Sequence, residues 1–159
     1  MRKGIWIMGA ILLLSLPQCT LTEKEVFSAE QAFENDTWQR FQVLEFDIPF
    51  EEANTAYNIY FTLTYSEEFQ HDNIPLHAIL KTPAGSKRVY EFTIEVRDAS
   101  GKDIGQKEEE SEYLTLQAPL WQKLTVKEAG KATLTLEQII PKFKTHGIKQ
   151  AGIKVSYAD

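Results

Sequence analysis

Tyr57-Asn58-Ile59-Tyr60-Phe61-Thr62-Leu63-Thr64-Tyr65 keeps one period through nine residues. Tyr57, Ile59, Phe61, Leu63 and Tyr65 are apolar or aromatic; Asn58, Tyr60, Thr62 and Thr64 stand between them. Period 2 in β-branched and aromatic residues is the signature of a strand with one buried face. The same step recurs on both sides of it. Phe41 and Val43 hold one phase, while Leu44, Phe46, Ile48 and Phe50 hold the other, which predicts a strand over 41–50 with a β-bulge near Val43–Leu44. Pro49 then marks the strand's end or an exposed edge. Leu76, Ala78 and Leu80 predict a shorter strand, closed by the Thr82-Pro83-Ala84-Gly85 turn.

Farther along, Tyr90, Phe92, Ile94 and Val96 alternate with Glu91, Thr93, Glu95 and Arg97, which are expected to face out. Asp98-Ala99-Ser100-Gly101 turns the chain, and the acidic stretch 106–112 reads as a solvated loop. Strands are expected over 113–116 and 121–126 on either side of Pro119, then through Ala132, Leu134 and Leu136, and last through Ile153, Val155 and Tyr157. Residues 138–146 have room for one helical turn, since Pro141 forbids more. About eight short strands and no amphipathic helix predict an all-β fold, an antiparallel β-sandwich whose inner faces pack and whose outer faces stay wet. A closed barrel satisfies the same pattern.

Before this domain stands an export signal. Met1-Arg2-Lys3 is a positive n-region, and residues 4–16 form an apolar stretch of 13 residues. A helix that crosses a bilayer core needs roughly 20, so this length suits a cleaved signal. Cys19, the single cysteine of the chain, follows directly. Leu16-Pro17-Gln18-Cys19 is similar to a lipobox, although Gln18 departs from the small residue usual before the cysteine. Three segments are therefore expected: a lipoprotein signal peptide over 1–18, a lipidated N-terminus and tether over 19–36, and a β-sandwich domain over 37–159. Within the tether, 26–33 is a candidate first strand or irregular cover. Cys19 is the expected diacylglycerol acceptor, attaching the chain to a membrane of the cell envelope.

The chain of 159 residues carries a formal charge of −6. Loss of Arg2 and Lys3 with the signal leaves 15 basic against 23 acidic residues, a mature charge of −8. Nucleic acid is not an expected partner, because its phosphates need clustered Lys and Arg. The chemistry of catalysis is sparse. His71, His77 and His146 are dispersed without cysteine partners, unlike zinc spacing. The serines lack a nucleophile-elbow context, and no phosphate-binding glycine loop is present. Asp98 and Asp103, around Gly101, read as turn residues and not as a calcium loop. No cofactor, metal site or enzymatic activity is expected. The softer signal is aromatic: Trp38, Tyr60 and Trp121 are candidates for an interaction surface, with core or rim packing the competing and more ordinary reading of the two tryptophans. Aligned on one face, they would make a platform for a glycan.

The order of segments resembles that of the gliding-motility lipoprotein family GldH of the Bacteroidetes. After the cysteine come Thr37-Trp38, Phe46-Asp47-Ile48 and Tyr57-Asn58-Ile59, then Asn73-Ile74-Pro75-Leu76 and the Thr82–Gly85 turn. Val96-Arg97-Asp98-Ala99-Ser100-Gly101-Lys102-Asp103-Ile104-Gly105 resembles the family's glycine-bearing hairpin. Leu136-Glu137-Gln138-Ile139-Ile140 and the closing Gly147-Ile148…Gly152-Ile153 complete the order. The chain has the character of a divergent member, with Ile139-Ile140-Pro141-Lys142 where the family often carries Met-Arg. The resemblance implies a non-catalytic envelope lipoprotein that supports the gliding and type IX secretion machinery through contacts with other envelope proteins. A lipid-anchored glycan-binding module is the alternative.

Overall fold

The computed structural model describes residues 23–107 and 109–159. The expected signal peptide, Cys19 and the first residues of the tether lie outside them. The described residues form antiparallel sheets that do not close into a barrel. Eleven strands build them: β1 (Glu25–Ala32), β2 (Thr37–Gln39), β3 (Leu44–Phe50), β4 (Thr55–Ser66), β5 (Asn73–Lys81), β6 (Lys87–Glu95), β7 (Gln106–Lys107), β8 (Tyr113–Val126), β9 (Gly130–Gln138), β10 (Lys144–His146) and β11 (Ile148–Tyr157). The larger sheet has the order β1-β11-β4-β8-β7, the smaller β3-β9-β5-β6, and β10 pairs β2 in a two-stranded ribbon.

The alternating residues do what their period requires. Tyr57, Ile59, Phe61, Leu63 and Tyr65 on β4 are buried. They join Leu44, Phe46, Ile48 and Phe50 of β3, Ile74, Leu76, Ala78 and Leu80 of β5, and Ala132, Leu134 and Leu136 of β9 in one core. Fully burying each large apolar side chain contributes about 1.5–3 kcal/mol. The hydroxyls of Tyr57 and Tyr65, which enter this core, keep partners. Tyr65 Oη accepts the Gly105 amide at 3.3 Å, an approach that a side chain at residue 105 would block.

Several boundaries differ from expectation, each for a local reason. The phase change before Leu44 is a tight turn and not a bulge: Gln42 N–H donates to the Gln39 carbonyl, and Phe41 takes φ +68°. Phe41 and Val43 therefore point to solvent, outside β3. Arg97 does not face out. Its guanidinium donates to the carbonyls of His71 at 3.0 Å and Phe69 at 2.5 Å, and pairs with Asp103 at 3.3 Å. The two strands expected around Pro119 are one, β8, and Pro119 is tolerated because β7 covers only the first part of that edge. Residues 138–146 hold no helical turn; β9 runs to Gln138 and β10 begins at Lys144. The candidate first strand at 26–33 of the tether is a strand, β1, paired with β11 from Glu25 to Ala32.

Candidate functional site

The chain enters the described fold at Glu23, four residues beyond Cys19, and its first side chain is already committed. Register places Asn58 and Ser156 opposite each other across β4 and β11, with Tyr60 two residues along the same outward face. The Glu23 carboxylate lies against this trio. Asn58 Nδ2 donates to Oε1 at 3.1 Å, the Tyr60 hydroxyl lies 3.0 and 3.1 Å from the two oxygens, and Ser156 Oγ donates to Oε2. These donors favour the charged form, so the Glu23 carboxyl sits below its usual 4.5; the Ser156 bond is the largest cause and desolvation opposes it. Tyr60 is pushed the other way, chiefly by desolvation and then by its bond to Glu23.

Asn58 is buried, although it lies on the polar phase of β4. Its carboxamide is used at both ends. Nδ2 holds Glu23, and Oδ1 accepts the Lys123 amide at 2.9 Å, where β8 bulges and Lys123 takes φ +55°. One side chain thus fills the bulge and fastens the N-terminal entry. The next residues are fixed as well: Tyr157 N–H donates to the Lys24 carbonyl at 3.0 Å, Lys24 Nζ lies over the Tyr157 ring, and Lys154 pairs with Glu25 at 3.2 Å. Four residues span at most about 14 Å. A lipid on Cys19 would hold this end of the sandwich close to a membrane surface.

The three aromatics expected on one interaction surface do not share one. Trp38 is fully buried, stacked on Phe33 at 5.0 Å, with Nε1 donating to the Gln42 carbonyl at 2.9 Å. Trp121 is 9% exposed and meets Tyr90 and Phe92 edge-on at 5.1 and 4.9 Å, closing the core between β6 and β8. Tyr60 is half-buried, its hydroxyl spent on Glu23. The flat exposed platform a glycan needs is missing at these residues, because two of the rings are packing groups. Glu23, Asn58 and Ser156 were not singled out in the sequence: a carboxylate in a polar leader and two small polar residues carry no pattern that shows they converge.

The polar groups elsewhere serve the fold. The Asp98 carboxylate accepts from Ser100 N, Ser100 Oγ and Lys102 N at 2.9, 2.6 and 3.0 Å, which hold it below its usual range and make it the cap of its own hairpin. His146 Nδ1 lies 3.0 Å from Thr37 Oγ1 across the β2–β10 ribbon. His71 is held low, first by desolvation and then by Lys142 and Arg97. Among the described residues no group of three or more His, Cys, Asp or Glu converges on a metal-sized point, and no helix is long and apolar enough to cross a membrane.

Comparison with known proteins adds two findings. The family model for the GldH lipoprotein matches residues 25–155, from the first strand to the last. The chain is also similar to the gliding motility lipoprotein GldH of Flavobacterium johnsoniae, 24% identical over 139 residues that cover 87% of this chain and 81% of that protein.

Proposed function

This chain belongs to the GldH lipoprotein family, and from that premise we propose that it is anchored through lipid on Cys19 and supports the gliding and type IX secretion machinery by binding other envelope proteins. Membership carries the coarser statement, a membrane-anchored lipoprotein of the cell envelope. The closeness of the anchor to the domain is supported by the Glu23 clamp, four residues beyond Cys19, in which the Glu23 carboxylate is bound by three side chains of the sheet. A passive flexible tether needs no such seat. The short leader would hold the β-sandwich beside the membrane as a body that presents loops to neighbours. Two or more acyl chains, as bacterial lipoproteins carry, make such attachment stable, where a single chain is marginal. The relative's printed name supplies the gliding context.

The test is Cys19→Ala in the full chain. Labelled fatty acid should be lost from the protein, the protein should leave the membrane fraction, and gliding or secretion by the type IX route should fall. Retention of Cys19→Ala in membranes with undiminished motility and secretion would sink the reading.

A further inference from the structure

We propose that the end of the sandwich opposite the anchor, centred on Phe41 and Phe143, is a docking surface for an acidic segment of a partner protein. This deepens the accessory-protein reading and rests on it for the anchor at Cys19, which sets the membrane at the other end, and for the partner's being a protein of the envelope.

The position follows from register. Glu23 is bound where Asn58 faces Ser156, whereas Ile148 at the other end of β11 faces Tyr65. Eight residues of strand separate the two, about 27 Å. β5 starts, β9 ends and β3 starts together, since Leu76 faces Gln138 and Leu44 faces Leu136, and the chain that leaves β9 reaches the Tyr65 end at Gly147, whose carbonyl accepts the Ser66 amide at 2.9 Å. Loops 40–43 and 139–143 therefore lie together, far from the anchor, and the Arg40 amide donates to the Phe143 carbonyl at 2.9 Å across them.

What these loops expose is unusual for this molecule. Phe143 is 79% and Phe41 68% exposed; with Val43 and Ile139 they supply four of the six exposed large hydrophobics among the described residues. Apolar groups gathered at loop tips mark contact surfaces. Phe41 is held there against its backbone preference. It occupies the third position of the Gln39–Gln42 turn at φ +68°, a place that glycine or asparagine fills without strain. The loop is pinned from beneath by Trp38 Nε1 on the Gln42 carbonyl and by Gln42 Oε1 on the Gln39 amide. A bulky ring in a strained turn, fixed by its neighbours and aimed at water, points to a retained use.

Charge selects the occupant. Arg40, Lys142 and Lys144 are exposed beside the two rings, and the stretches 40–43 and 139–144 that carry them hold no carboxylate; Glu45 and Glu137 stand on the strands that flank them, and Glu67, Glu68 and Asp72 on the 66–72 loop at the same end. In a chain of net charge −6, three cations without an acid in two joined loops are complementary to an acidic partner. The anchoring membrane lies at the other end, so a lipid headgroup of that leaflet is not the occupant the geometry favours.

The test places photoreactive benzoylphenylalanine at position 41, 143 or 89 of the full-length chain in its host, position 89 serving as an exposed control on β6. Irradiation at 41 and 143, and not at 89, should give one heavier adduct. Mass spectrometry should map the partner segment to a stretch richer in Asp and Glu than in Lys and Arg. With the probe at 143, the Arg40→Glu/Lys142→Glu variant should lose the adduct. Phe41→Asn should lose it too, with a thermal midpoint equal to or above wild type, which separates docking from folding. Membrane fractionation of these variants should be unchanged, so their failure is distinct from failure of the anchor at Cys19. No adduct, an adduct with lipid or a second copy alone, equal adducts at all three positions, a basic partner segment, or a Phe41→Asn variant that keeps the adduct would each overturn the proposal.

Discussion

Glu23 shows how little sequence is needed to fasten a leader to a sheet: one carboxylate, two hydroxyls and one carboxamide. Because its donors favour the ionised form, its folded pKa lies below the usual 4.5. A depressed carboxyl contributes stability that is fully present above the unfolded pKa and is lost as pH falls through the folded one. The urea midpoint of wild type should therefore exceed that of Glu23→Gln by a constant margin above pH 4.5, and the margin should shrink under more acid conditions. A margin that grows on acidification would contradict the clamp. Gly147 makes a harder demand at the same scale. It takes φ +84°, and a Cβ there would overlap the Phe69 amide nitrogen. Gly147→Ala should cost more than the ~1 kcal/mol of a left-handed alanine alone, read as a lowered thermal midpoint. Phe41 is the converse case, a strained residue whose replacement by Asn relieves about 1 kcal/mol.

Among the elements, the hairpin between β6 and β7 depends on Arg97. Its side chain is 16% exposed, and it bridges the Phe69 and His71 carbonyls to Asp103. The contact with Asp103 is a charge pair at 3.3 Å without an aligned hydrogen bond, so the two carbonyls carry more of its geometry. Charge-assisted bonds of this kind are worth about 1.5–3 kcal/mol. Arg97→Ala should lose about that much in urea titration, and Arg97→Lys should recover little, since an ammonium cannot span both carbonyls as the planar fork does. This contact also marks where sequence reading stopped. Arg97 follows the outward phase of Glu91, Thr93 and Glu95, and period alone says it faces water; its inward use depends on the 69–72 loop, distant in sequence. The strands β4, β5 and β9 were legible because their apolar step is unbroken, and β11 only from Gly152 onward, since its register shifts between Ile148 and Gln150. The Gln39–Gln42 turn was not, because a change of phase looks the same whether a bulge or a turn causes it. Trp38 and Trp121 stayed open in the sequence for a related reason: a tryptophan beside a strand start is as easily core as surface, and both are core. Cys19 stood out through its neighbours, whereas the seat that receives Glu23 is assembled from three polar residues on two strands, β4 and β11, that carry no pattern of their own.

For the whole molecule, the anchor and docking proposals assign separate tasks to the two ends of the sandwich, and the length of the leader links them. From Cys19 to Glu23 the chain spans at most about 14 Å, while the Phe41 and Phe143 loops stand roughly 27 Å farther along the strands. The docking loops should then work at a set height above the membrane. Inserting a Gly-Ser segment of about twelve residues between positions 20 and 23 adds a flexible reach of ~20 Å without touching acylation, the clamp or the loops. Energy transfer from a dye beside residue 89 to a membrane dye should fall sharply in the insertion variant, while membrane fractionation stays as in wild type. If partner capture at position 143 requires a set height, the insertion should weaken it even though every contacting residue is intact. Unchanged energy transfer would mean that the clamped end does not face the membrane, and the orientation drawn from Glu23 would have to be abandoned.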